Sequence, residues 1–158
     1  MSHSLVKIWI HLVFGTKNSE LLIIPKYEKQ LHDHIKEKLE RDFECLVKII
    51  KGVTDHIHIL FLMSQNFSLS DIVKNIKGES SHWWNSQEFS NLKFAWQIGY
   101  GAYSVSESMI SKVEKYISNQ KEHHKKISYN KEVEIFMKKY GLEIVNRGNG
   151  FEILFLRY

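Results

Sequence analysis

Only one of the 158 residues is cysteine, Cys45, and only one is proline, Pro25. A single thiol cannot close an internal disulfide, and its apolar setting (Phe43, Leu46, Val47) marks it as buried and inert. A reducing compartment is the simplest home for such a chain, and a cytoplasmic protein is expected. No apolar run approaches the ~20 residues needed to cross a bilayer. Met1-Ser2-His3-Ser4 lacks the cationic segment, apolar stretch and small-residue cleavage site of a secretory signal. Internal repeats, low-complexity tracts and linkers are absent too. These absences predict one domain over residues 1–143 and a tail, 144–158, whose role the residues do not identify.

What is present suits a soluble, ordered domain, with 43% hydrophobic and 25% charged residues. The net charge of +4 fits a polyanionic partner, although many unrelated enzymes are mildly basic. Lys112, Lys115, Lys121, Lys125 and Lys126 cluster late in the chain, and Lys74 and Lys77 form a smaller group. Alone, such lysines read as the solvated faces of helices.

Residues 5–14, rich in β-branched and aromatic side chains and ended by Gly15, predict a first strand. Residues 27–41 place Tyr27, Leu31, Ile35 and Leu39 on one helical stripe. Strands follow at 43–50 and 56–63, joined through a turn at Lys51-Gly52 that is short enough for an antiparallel hairpin. Ser68 or Ser70 can cap a helix running to about residue 84. Residues 94–103 read as a fourth strand bent at Gly99 and Gly101, and helices are expected at 107–123 and 131–140, the latter stopping at Gly141. The order β-α-β-β-α-β predicts an α+β, ferredoxin-like (split βαβ) antiparallel sheet with helices on one face, followed by C-terminal helices.

Within the third strand, Asp55-His56-Ile57-His58-Ile59-Leu60 puts His56 and His58 on one face, since side chains at i and i+2 of a strand point the same way. Ile57, Ile59 and Phe61 take the other. Two imidazoles fixed side by side are half of a metal site; the bland alternative is a pair on a solvated sheet face. The third predicted helix carries Tyr116 and Gln120 four residues apart, hence on one side of it. A tyrosine there is by itself most simply a packing residue.

Four segments join these signals into a known pattern. They are His11-Leu12-Val13-Phe14-Gly15-Thr16-Lys17-Asn18, the Asp55–Leu60 segment, Gly99-Tyr100-Gly101-Ala102-Tyr103-Ser104-Val105-Ser106, and the stretch from Val113 to His124 that holds Tyr116 and Gln120. Through them the chain resembles the single-tyrosine HUH transposases of bacterial insertion sequences, including the REP-associated tyrosine transposases. Thr54 departs from the proline such proteins often carry before the Asp-His pair, and the resemblance does not extend into the tail after Glu143, whose role stays open.

The resemblance implies that His56 and His58 bind a divalent metal, that Gln120 is a further ligand and that Tyr116 is the nucleophile. It implies cleavage and rejoining of single-stranded, hairpin-bearing DNA through a 5′-phosphotyrosine, carried out by a homodimer. Two imidazoles and an amide oxygen suit manganese or zinc as well as magnesium, and the family favours Mg2+ or Mn2+. Asp55 is then a candidate to orient a histidine from behind. Lys74, Lys77, Lys112, Lys115 and Lys121, on the two helices expected nearest the chemistry, become candidate phosphate contacts. Trp83, Trp84 and Trp96 are candidates either for stacking on unpaired bases or for the core. His123 and His124 are expected to end the tyrosine helix without acting as ligands. The competing readings are a nucleic-acid-binding module without catalysis and a metal-dependent phosphodiester hydrolase that has no need of Tyr116.

Overall fold

A computed structural model of the chain describes residues 4–140, 142–146 and 151–155. The elements run β1 (Ile8–Gly15), α1 (Glu28–Phe43), β2 (Leu46–Gly52), β3 (His56–Met63), α2 (Leu69–Ser86), β4 (Gly101–Val105), α3 (Ile110–Ser118), α4 (Gln120–His123), α5 (Tyr129–Lys139), β5 (Leu142–Asn146) and β6 (Phe151–Phe155). The first four strands form one sheet in the order β2-β3-β1-β4, with every neighbouring pair antiparallel. This is the expected split βαβ topology. The chain divides into two compact units, Met1–Lys121 with this sheet and Glu122–Tyr158 with α5 and the β5–β6 pair.

Residue parity explains what each sheet face does. Even positions of β1 (Ile10, Leu12, Phe14) and odd positions of β3 (Ile57, Ile59, Phe61) meet Leu31, Ile35 and Leu39 of α1 and Ile72, Ile76 and Trp84 of α2 in the main core. Each fully buried aliphatic or aromatic side chain there contributes roughly 1.5–3 kcal/mol of transfer free energy. The opposite parity faces α3, which lays Ile110, Val113 and Ile117 on Trp9, Leu60 and Leu62. Both central strands are therefore covered on both sides, and a solvated-face reading of the histidine pair fails: His56 and His58 are each 0% exposed.

Several boundaries differ from expectation. β1 begins at Ile8, and β2 runs Leu46–Gly52 because Phe43 ends α1 and Lys51-Gly52, expected as the turn, still pairs with His58 and Ile57. The fourth strand spans Gly101–Val105, because the aromatic stretch before it leaves the sheet and plugs the core with Phe94 and Trp96. Asn85 of α2 stands in for a strand partner, accepting from the Phe94 backbone N–H at 2.8 Å and donating to its carbonyl at 2.9 Å. An isolated bridge, Thr16 to Trp96, ties that stretch to the sheet. The tyrosine helix begins with a one-turn 3-10 segment, Glu107–Met109, and breaks at Asn119, so α3 and α4 are separate. The last helix starts at Tyr129, one residue after its cap Ser128, whose side chain accepts from the Lys131 N–H. Its predicted stop, Gly141, lies outside the described residues, as do parts of the tail. The described part of that tail pairs β5 with β6. Among the described residues no helix is long and apolar enough to cross a membrane.

Candidate active site

The register of β1 on β3 sets Gly15 opposite His56 and Val13 opposite His58, so the strand beside the two imidazoles carries small side chains where they need room. Their rings lie 5.2 Å apart at 70°, and each offers a ring nitrogen within 4.8 Å of one on the other. His56 Nδ1 meets the Asp55 carboxylate at 2.6 Å, which leaves Nε2 as the ligand atom and orients it. That Nε2 lies 3.4 Å from Oε1 of Gln120, a side chain also 0% exposed. Two ligands of one small divalent cation, bound at about 2.1 Å, sit roughly 3–3.5 Å apart, so this donor set fits such an ion. Gln120 Nε2 donates a long 3.5 Å bond to the Tyr116 carbonyl, which turns its oxygen toward the histidine.

Tyr116 is half-buried, its α3 helix pinned by the apolar contacts of Ile110 and Ile117. Its ring stands edge-on to His58 at 5.8 Å and 83°, and to His11 at 6.2 Å and 73°. The break at Asn119 places the tyrosine and the glutamine on successive short helices, yet keeps both beside the histidine pair. The structure thus brings together His56, His58, Tyr116 and Gln120, the four residues singled out as ligands and nucleophile.

Two further residues in this cluster had no assigned role. His11 of β1 is 3% exposed and places Nε2 2.8 Å from His58 Nδ1. Tyr103 of β4 is the register partner of His11, 6.0 Å away ring to ring, and its hydroxyl lies over Gly101, where an added Cβ would meet it at 2.8 Å. Parity was the available signal: once β1 pairs with β3, His11 must share the face of His58. Lys51 of β2 is the register partner of His58 and adds an exposed cation on the same side.

The basic candidates divide. Lys112 and Lys115 are exposed on α3, and exposed Lys121 lies 3.3 Å from the Glu28 carboxylate. Lys74 and Lys77 lie on α2, which is not near the chemistry as expected but across the sheet, because its apolar stripe joins the α1 core. Lys74 is exposed there. Lys77 donates to the carbonyls of Gln97 at 2.7 Å and Gly99 at 2.6 Å, and burial pushes its pKa down to about 8. Trp84 and Trp96 belong to the core, and Trp83 stacks on His34 at 4.3 Å. In the second unit, His124 and His123 face the buried carboxylate of Glu132 at 2.6 and 3.9 Å.

Residues 4–120 match the family described as Transposase IS200 like. Among solved structures, the chain is similar to a protein of Deinococcus radiodurans R1 assigned as a transposase, at 23% identity and TM-score 0.61, over 76% of this chain and 95% of that one. It is also similar to a REP-associated tyrosine transposase bound to a REP hairpin, at 17% identity and TM-score 0.60, over 78% and 74% of the two chains. None of the curated proteins matches.

Proposed function

The chain belongs to the IS200-like transposase family and is a DNA strand transferase, and on that premise we propose that it cuts and rejoins single-stranded DNA through Tyr116. The observation that carries the reading is the convergence of the Tyr116 ring, 5.8 Å from that of His58, with Gln120 Oε1, 3.4 Å from His56 Nε2. His56, His58 and Gln120 would hold Mg2+ or Mn2+, which when bound withdraws charge from a phosphate oxygen and makes phosphorus more electrophilic.

A phenol with an ordinary pKa near 10 is a weak nucleophile at neutral pH, so placement has to do much of the work. Tyr116 is half-buried, and its ring is held 5.8 Å from that of His58. Its oxygen attacks phosphorus, its proton leaves to solvent, and the bond to the 3′ oxygen breaks as that oxygen takes up a proton. The products are a 5′-phosphotyrosine and a free 3′-hydroxyl. Because the phosphoester is conserved, a second 3′-hydroxyl can displace Tyr116 and rejoin the strand without ATP. Lys112, Lys115 and Lys121 would meet phosphates of the flanking DNA. The relative bound to a REP hairpin supports a hairpin-bearing substrate, and a homodimer is proposed with it.

Incubation with hairpin-bearing single-stranded DNA and Mn2+ tests the proposal. A covalent protein–DNA adduct is expected and should vanish in Tyr116→Phe, with at least a thousandfold loss of cleavage. Cleavage at the wild-type rate in that variant would replace transfer by hydrolysis. Binding without any cleavage would leave a nucleic-acid-binding module.

A further inference from the structure

We propose that His11 is the positioning residue of His58, doing for the second histidine what Asp55 does for the first. The inference rests on the reading of His56 and His58 as metal ligands. His11 sits on β1 between Trp9 and Val13 on the same face, 3% exposed, where burying a polar ring is unfavourable unless it is hydrogen-bonded. Its Nε2 meets His58 Nδ1 at 2.8 Å, with the rings stacked at 5.1 Å. A His58 that ligates through Nε2 carries its proton on Nδ1, and His11 Nε2 is the acceptor for it. That bond selects the His58 tautomer and fixes the ring plane.

The two histidines are thereby supported unequally. His56 leans on a carboxylate, whereas His58 leans on a second imidazole. The rings of Tyr103 and Tyr116, 6.0 and 6.2 Å from that of His11, pack around it.

Calorimetric titration of the full chain with Mn2+, read beside hairpin cleavage, tests this. His11→Phe fills the space without an acceptor and should weaken Mn2+ binding by about 10–100-fold, with cleavage recovering as Mn2+ is raised. His11→Gln keeps an acceptor oxygen and should retain affinity closer to wild type. A folded His11→Phe protein with wild-type Mn2+ affinity would overturn the proposal, as would a loss of cleavage that excess Mn2+ does not reduce. Should His11→Phe fail to fold, nitrogen–nitrogen coupling across the His11–His58 hydrogen bond in the Mg2+-loaded wild-type protein decides: its presence supports the proposal and its absence refutes it. His56→Ala separates the two levels of inference. If that variant binds Mn2+ as tightly as wild type, the metal reading itself fails, whatever His11 does.

Discussion

Gly52, at the end of β2, bears no functional atom, yet replacing it should damage the site. A Cβ added there would lie 2.2 Å from the carbonyl oxygen of His56 and 2.9 Å from Cα of Ile57, both backbone atoms that cannot rotate away. Contacts of this kind normally begin above 3.0 Å, so Gly52→Ala must open the hairpin by about 1 Å at the residue carrying the first imidazole. Overpacking of this kind costs roughly 1–3 kcal/mol. The smaller entropy of an unfolded chain with alanine offsets about 0.4–1 kcal/mol of that. The net loss of about 1–2 kcal/mol should lower the melting temperature by roughly 3–8 °C in a unit of this size. Function should suffer more, since a displacement of about 1 Å in a reacting group can cost ~100-fold in rate. Calorimetric melting and Mn2+-dependent cleavage, measured on the same preparation, read both effects. A variant with wild-type melting and wild-type cleavage would refute the steric reasoning. Lower melting with unchanged cleavage would show that the strain relaxes away from His56.

Two other perturbations follow from the same region. His32 of α1 is buried and kept neutral: burial, then the nearby charges of Lys51 and Lys121, push its pKa from 6.5 down to about 4. Between those values the unfolded chain takes up a proton that the folded protein resists, so stability falls as pH drops from about 6.5 to 4, by up to about 3 kcal/mol. His32→Phe should flatten the melting temperature against pH over that window, and a profile parallel to wild type would contradict the assignment. Asp55→Asn keeps an acceptor beside His56 but removes its charge, and should weaken Mn2+ binding by about tenfold. Unchanged affinity in the same titration would mean that the 2.6 Å contact serves only the turn.

Local periodicity exposed the elements that depend on local pattern. The stripe of Leu31, Ile35 and Leu39 and the alternation around His56 both survive in the structure because a helix or strand can bury only what its own period places on one side. Features set by distant partners were not legible. The 94–103 stretch has strand composition, but Asn85 captures Phe94 and the side chains go to the core. Nothing in Lys115 to Lys121 announces a helix break, since each residue tolerates a helix interior. Lys77 reads as a solvated charge until two carbonyls some 20 residues further on close over it. His11 lies 47 residues from its partner, and only strand register joins them.

The order of the elements along the chain also has a consequence for how the protein is made. The β2–β3 hairpin, β1 and the two helices over their apolar face are all translated before α3, and His56 sits 64 residues ahead of Gln120. Contacts of that separation form late, because the loop must close before they repay its entropy. A chain that ends before α3 would thus display the two histidines on a finished hairpin while still lacking the tyrosine proposed to cut. Only chains that extend past α3 and α4 carry Tyr116 and Gln120 together with the histidine pair.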